Sequence, residues 1–223
     1  MALRSPGLEA ALRRGAADLS LALSDAQFGQ LLDYLELLQK WGQVYNLTAV
    51  RDPADMLTHH LLDSLAVMTP LTRHLARSGL QPSDARLLDV GSGAGLPGVV
   101  IAICCPELAV TCVDTVAKKS AFVQQVAVSL RLPNLRGVHG RVEKLPGPYE
   151  VIVSRAFASL ADFVGWSAQA LAPRGVWLAM KGKHPESELA ALPGGIDVFH
   201  VEQVQVPGLD AQRCLVWMRQ RTQ

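Results

Sequence analysis

The chain has 223 residues, 49% of them hydrophobic, with 21 Lys+Arg against 20 Asp+Glu for a net charge of +1. That composition excludes a disordered, collagen-like or coiled-coil chain and leaves length for one sizeable core. Bulk charge announces no polyanionic partner, so any basic surface must be local. The longest unbroken apolar run, Val99 to Cys105, is seven residues, against the about 20 that a membrane span needs. Charged residues interrupt every short apolar stretch at the N-terminus, so no signal-peptide core is visible. The expectation is a soluble, cytoplasmic protein that does not touch a membrane and acts as a monomer. Cys104, Cys105, Cys112 and Cys214 show no C-x-x-C or zinc spacing and are expected to be free, mostly buried thiols.

Residues 1–20 carry no assignment. From there the apolar residues keep helical spacing: Phe28, Leu31, Leu32, Leu35, Leu38 and Trp41 share a face, and Ser24 with Gln27 forms a capping box, which predicts a helix over about 24–44. Asn46-Leu47-Thr48 is the turn that ends it. Asp52-Pro53 then starts a second helix, with a capping carboxylate and proline at the first helical position, running through His59, His60 and Asp63 to about Thr69. After Pro82 short apolar runs alternate with helix-length segments, the pattern of a parallel sheet with crossover helices. Strands are predicted at 86–90, 109–113, 135–138, 150–154 and 175–181, and helices near 97–105, 116–131 and 159–172, the last ended by Pro173. Two further strands, about 196–205 and 213–219, meet at Pro207-Gly208 as a hairpin with an antiparallel edge strand. The expected architecture is a doubly wound α/β sheet domain over 83–223, preceded by a helical extension over 1–82 that packs on it.

The segment Leu87-Leu88-Asp89-Val90-Gly91-Ser92-Gly93-Ala94-Gly95-Leu96-Pro97-Gly98 follows a strand and opens a helix, where free backbone N–H groups and missing side chains let a ligand approach the main chain. It fits two templates. Gly93, Gly95 and Gly98 spell the dinucleotide G-x-G-x-x-G, with Asp114 nineteen residues after Gly95. Asp89, Gly91, Gly93 and Gly95 also spell D-x-G-x-G-x-G, the S-adenosylmethionine loop. Register favours the second: a dinucleotide loop beginning at Gly91 would need glycine at 96, where Leu96 stands. A carboxylate at position 89 also suits an ammonium-bearing ligand better than a pyrophosphate. Asp114, at the end of the next strand, can accept hydrogen bonds from a ribose diol or cap the following helix.

Between Lys118 and Arg155 seven basic residues face two acidic ones, whereas the first 82 residues hold seven basic and eight acidic. A basic zone beside a cofactor cleft fits a phosphate-rich acceptor; a solvated helix face explains it equally well. The loop after the fourth strand reads Ser154-Arg155-Ala156-Phe157. It lacks the Asn/Asp-Pro-Pro-aromatic pattern of exocyclic-amine methylation, and no cysteine lies there for covalent attack on a pyrimidine. A ring nitrogen such as guanine N7, which already carries an in-plane lone pair, fits better because it needs alignment and little acid–base help. Arg155 can bond guanine O6, orient a phosphate or fix the cofactor carboxylate, and Phe157 can stack or pack. His59, His60 and Asp63 have metal-like spacing but no third ligand within sequence reach, so no metal is expected. Lys181 ends a strand at the carboxyl edge of the sheet, where ligand crevices lie.

Leu88-Asp89-Val90-Gly91-Ser92-Gly93-Ala94-Gly95-Leu96-Pro97-Gly98, Ser154-Arg155-Ala156-Phe157-Ala158-Ser159-Leu160, Met180-Lys181-Gly182-Lys183, Trp41, Asn46-Leu47-Thr48 and His60-Leu61-Leu62-Asp63-Ser64-Leu65 together resemble the RsmG (GidB) family over roughly 25–218. The resemblance implies a class I Rossmann-like fold of seven strands and S-adenosylmethionine-dependent methylation of guanine N7 in 16S rRNA. The partner would be 16S rRNA or the assembling small ribosomal subunit. Cofactor contacts would come from Asp89, Gly91, Gly93, Leu96, Asp114, Val142, Glu143 and Arg155, with Val142 and Glu143 at the adenine end. Arg155 and Lys181 are the expected catalytic residues, Lys181 on the acceptor side. Asp114-Thr115 departs from the family's usual acidic-Ser pair but keeps the hydroxyl. Two alternative functions remain at this point, a small-molecule methyltransferase and a dinucleotide-dependent oxidoreductase.

Overall fold

The computed structural model describes residues 5–221. Seven strands form one sheet in the order β3-β2-β1-β4-β5-β7-β6. They are β1 (Arg86–Val90), β2 (Ala109–Asp114), β3 (Leu135–His139), β4 (Tyr149–Arg155), β5 (Leu171–Lys181), β6 (Ile196–Val204) and β7 (Arg213–Gln220). β1 to β5 run parallel, and β7 is antiparallel to both β5 and β6. The hairpin predicted around Pro207-Gly208 is present. Its antiparallel strand is not at the edge, however: β7 inserts between β5 and β6, and β6 closes the sheet. The strand sequences account for this. Cys214, Leu215, Val216, Trp217 and Met218 are all buried, so β7 needs cover on both faces, whereas no residue of β6 is fully buried.

Alternate residues sort to opposite faces. Leu87, Val151, Leu178 and Leu215 point to one side, where they join Leu12, Leu35, Leu61 and Leu71 in a single apolar cluster. Leu88, Ile152, Trp177 and Val216 point to the other side and pack with Leu160 and Phe163. The first cluster is built largely by the N-terminal helices α1 (Pro6–Asp18), α2 (Asp25–Tyr45), α3 (Pro53–Met56), α4 (Asp63–Leu65) and α5 (Met68–Arg77), with α6 (Gly98–Cys104) and α7 (Ala117–Ser129). The second lies under α8 (Leu160–Ser167) and the short α9 (Glu186–Ala190).

α2 carries its capping box as predicted, with Ser24 and Gln27 bonded reciprocally, and ends at Asn46 in the left-handed conformation. It buries Leu31, Leu35 and Leu38 completely, each worth about 1.5–3 kcal/mol in transfer terms. The same helix fastens the core with side chains. Gln27 Nε2 donates to the carbonyls of Ile103 and Cys104, and Gln30 Nε2 donates to that of Leu130, so α2 satisfies the C-terminal ends of both α6 and α7.

Three elements differ from expectation. α1 occupies residues that sequence periodicity left unassigned; Ser5 caps it and Pro6 opens it. The second predicted helix begins at Asp52-Pro53, passes through a π-helical segment (Leu57–Leu62), breaks near Val67 and resumes as α5. α8 ends at Ser167, and Pro173 lies in the first part of β5, where the register against β4 shifts between Tyr149 and Val151. An irregular start of that kind accommodates a residue with no N–H. Among the described residues no helix is long and apolar enough to cross a membrane, and all four cysteines are free, Cys112 and Cys214 buried.

Candidate active site

The carboxyl ends of β1, β2, β4 and β5 converge on the glycine loop, and two cavities open there, of about 460 and 620 Å³. They meet at Gly91 and Ala156. Gly91 has φ +65°, and a Cβ at that position would collide with the ring of Phe157, so the turn needs glycine both for its backbone and for the close approach. Gly93 faces open space, with no atom within 4 Å of where its Cβ would stand. Ala156 holds φ 50° on the other side of the saddle, a conformation that costs a non-glycine residue free energy and recurs at functional sites.

The larger cavity runs along the end of β2. Asp114 sits there, 7% exposed, and its two oxygens tie the site together: Oδ2 accepts from Gly93 N at 3.0 Å and Oδ1 from Val116 N at 2.8 Å. Asp114 thus closes a turn onto Val116, the residue that precedes α7, without capping the helix, and adds a bond to the loop itself. Val142, buried, and Glu143 line the same cavity opposite, with Phe157 and the exposed Trp166, whose rings meet edge-on at 5.7 Å. Arg141 pairs with Glu143 at 2.8 Å and holds its carboxylate below the ordinary range.

The smaller cavity takes in Gly91, Gly93, Leu96, Arg155 and Lys181, so the structure brings together both residues expected to be catalytic. Neither is a free cation. Arg155 Nη1 donates to the His59 carbonyl at 2.8 Å and to Asp63 Oδ2 at 2.7 Å. Lys181 Nζ donates to both Glu188 oxygens, at 3.0 and 2.8 Å, and to the Ala158 carbonyl at 3.0 Å. Glu188 in turn accepts from Leu160 N at 2.7 Å. Lys181 and Glu188 therefore clasp the loop after β4 from β5 and α9.

Asp89 is placed differently from the rest. It is fully buried and lines neither cavity; its Oδ2 accepts from Gly98 N at 2.8 Å beneath the loop, while Oδ1 has no partner. Burial pushes its pKa up to about 7. In this geometry it braces the start of α6. The loop is held from the other direction by Tyr34, also fully buried, whose hydroxyl donates to the Ala94 carbonyl at 2.8 Å.

Several residues that build the site had little signal in the sequence. Tyr34 lies in an ordinary apolar stripe, Glu188 in a helix of five residues, and Arg213 at a strand start. His60 and Asp63 were visible as a pair but not by role. His60 Nε2 lies 2.9 Å from Thr48 Oγ1, and burial, reinforced by Arg155, lowers its pKa to about 4. The basic zone from Lys118 to Arg155 is split by the fold: Lys118 and Lys119 begin α7 beside the cleft, whereas Arg131 follows its far end and Arg136 lies early in β3.

The comparisons with known proteins converge on one assignment. The family GidB, described as rRNA small subunit methyltransferase G, matches residues 27–216. The chain belongs to this family. Among curated relatives, Ribosomal RNA small subunit methyltransferase G of Acidovorax ebreus is 67% identical over 215 residues, covering 95% of each chain. The protein of the same name from Albidiferax ferrireducens is 68% identical over 218 residues, covering 96% of this chain and 97% of its own. Solved structures show the fold at lower identity. TrmN from Thermus thermophilus has a TM-score of 0.56 at 17% identity, over 74% of this chain and 53% of its own. A SAM-dependent methyltransferase from Aquifex aeolicus has a TM-score of 0.54 at 18% identity, over 78% and 96%. The GidB protein is thus an S-adenosylmethionine-dependent methyltransferase of class I Rossmann-like fold, and the dinucleotide reading of the glycine loop is set aside. The cleft suits that donor. Glycines remove side chains at the saddle, the Asp114 carboxylate lines the larger cavity, and the Arg155 and Arg213 guanidinium groups line the smaller one.

Proposed function

We propose that this GidB protein transfers a methyl group from S-adenosylmethionine to N7 of a guanine in 16S rRNA, presented as naked RNA or as the assembling small subunit. The supporting observation is that neither the carboxylate nor the buried histidine of the smaller cavity is available as a base, which leaves the half-buried His59 as the one other imidazole among the described residues that line it. Among the described residues lining it, the sole carboxylate is Asp63, and both its oxygens are occupied by arginines. His60 is held neutral with a pKa near 4 and bonded to Thr48 through Nε2, which makes it a weak proton acceptor. Methylation of an amine must dispose of a proton, whereas a ring nitrogen with a lone pair in the plane of the base only has to be aligned.

In this reading Gly91 and Gly93 admit the donor to the main chain, Asp114 receives the ribose hydroxyls, and Val142 and Glu143 border the adenine. When bound, S-adenosylmethionine supplies an electrophilic methyl group on a sulfonium. Leu96 and the Gly91 turn line the passage between the cavities. Arg155 stands over the smaller cavity, within which the acceptor base would lie. Lys181 acts through its bond to Ala158, fixing the loop that follows Arg155 and carries Phe157, and its charge is taken up by Glu188. The helical part before Pro82 serves 83–223 as a brace, through Tyr34, Gln27 and Gln30 of α2.

The test is transfer of labelled methyl groups to small subunits, and in parallel to their stripped rRNA, from cells lacking this protein, followed by nucleoside analysis. Label in 7-methylguanosine is the expected result. Label in another nucleoside would overturn the atom assigned, and no label with donor binding intact would overturn the acceptor in favour of a small molecule.

A further inference from the structure

Asp63 is the sole carboxylate among the described residues that line the smaller cavity, and beyond its unavailability as a base it has been given no role. Its side chain is 5% exposed and accepts from Arg155 Nη1 and Arg213 Nε, both at 2.7 Å. Arg155 ends β4 and Arg213 begins β7, with β5 between them. Two neighbouring intervals in a sheet are roughly 10 Å, and like charges brought together across that span repel unless something compensates them. A single buried carboxylate does so and leaves the trio with a net charge of +1. Each guanidinium is further fixed by a carbonyl, Arg155 by that of His59 at 2.8 Å and Arg213 by that of Gln212 at 3.0 Å. Both bonds of Arg155 leave from Nη1, so its Nε/Nη2 edge stays free, whereas Arg213 spends Nε and Nη1, which lie on different edges, and keeps Nη2. Arg155 Nε and Nη2, and Arg213 Nη2, have no partner among the described residues. Beside them His60 Nδ1 is a buried polar atom without a partner, on a residue that lines the same cavity.

We propose that Asp63 is a positioning residue that assembles Arg155 and Arg213 into one oxyanion-binding fork in the smaller cavity. The free Nε/Nη2 edge of Arg155 matches the geometry of a phosphate or a carboxylate, and Arg213 Nη2, held through the same Asp63, adds a further donor. Within the function proposed above, the oxyanion is a backbone phosphate next to the target nucleotide or the carboxylate of the methyl donor.

Three variants of the full chain test this: Asp63→Asn, Arg213→Gln and the double substitution. Affinity for small-subunit RNA is measured by filter binding at several salt concentrations, and affinity for S-adenosylmethionine by calorimetry. For a phosphate, each single variant weakens RNA binding by about tenfold. The slope of log affinity against log salt then shrinks by about one, and the double variant does no worse than either single one. For the carboxylate, donor affinity falls by about tenfold instead and the salt slope stays put. Asp63→Asn adds positive charge to the cavity, which by itself would strengthen oxyanion binding, so a loss reports geometry rather than charge. Unchanged or tighter binding of both ligands in a folded Asp63→Asn chain would overturn the proposal, and a drop in thermal stability alone would not support it. Should Asp63→Asn fail to fold, Arg213→Gln, at a half-buried position, decides on the same readouts. Because RNA and donor binding are measured directly, absence of methyl transfer to rRNA would count against the acceptor and leave the fork to stand or fall on its own.

Discussion

Replacing Tyr34 with Phe removes one hydroxyl and keeps the ring, which lies in the core with Phe122 at a centroid distance of 6.3 Å. What is lost is the 2.8 Å bond to the Ala94 carbonyl, from a side chain that is 0% exposed. A neutral hydrogen bond contributes about 0.5–1.5 kcal/mol net, rising toward about 3 kcal/mol if the abandoned carbonyl finds no water. For a chain of this length about 1 kcal/mol corresponds to a fall of roughly 2–4 °C in Tm. The bond also anchors the middle of the glycine loop, so part of the same free energy must be restored when the donor binds. The expected Kd for S-adenosylmethionine rises by about three- to tenfold, the upper figure corresponding to about 1.4 kcal/mol. Ser167→Ala is the matched control. Ser167 Oγ accepts from Trp177 Nε1 at 2.9 Å within the cluster on the opposite face of the sheet, so it should cost comparable stability and leave donor affinity within about twofold. The assay is calorimetric titration beside thermal unfolding of both variants. Equal shifts in donor affinity for the two, or none for Tyr34→Phe, would refute the idea that α2 sets the loop.

Asp114→Ala should weaken donor binding by about 1–3 kcal/mol, because it removes the acceptor for Gly93 N along with any bond to the ribose; calorimetry showing an unchanged Kd would remove Asp114 from the site. Glu188→Gln should free Lys181 and loosen the loop after β4, lowering kcat of methyl transfer while donor Kd stays within about twofold; an unchanged kcat would mean that the clasp does not position Arg155. Two buried groups impose opposite pH dependences. The Asp89 pKa is raised to about 7, so its contribution to stability is full below the unfolded carboxylate value and is lost as pH rises through about 7. The His60 pKa is lowered to about 4, so its contribution is present above about 6.5 and is lost as pH falls toward 4. In denaturant titrations between pH 4 and 8, Asp89→Asn should flatten the first dependence and expose the second, and His60→Gln the reverse; parallel curves for both variants and the parent chain would contradict the assignments.

The sheet was legible because short apolar runs such as Leu87 to Val90 and Val151 to Ser154, buried on both faces as parallel strands are, alternate with helix-length segments, and the loop was legible because its glycines have only a few physical uses. Less was readable at the ends. The position of β7 inside the sheet depends on which edge has cover on both faces, a property of the assembled layers that no hairpin signal contains. Asp89 looked like a ligand contact from its place before the turn, but the pleat that puts Leu88 and Val90 on one face puts Asp89 on the other, under α6. Arg213 escaped notice because its partner is 150 residues away, although a carboxylate in an otherwise apolar helix face at Asp63 is a signal that a buried cation must come from somewhere.

The π-helical segment Leu57–Leu62 acts as a phase shifter. In an α-helix each residue turns the chain by about 100°, so the extra residue that a π turn accommodates rotates everything after it relative to everything before. Met56 faces the core ahead of it, and Asp63 faces two arginines behind it. Deleting one residue within 57–62 would let the helix wind regularly and would swing one of those two faces out of alignment, so this stretch should tolerate substitution by similar apolar residues far better than any change in its length.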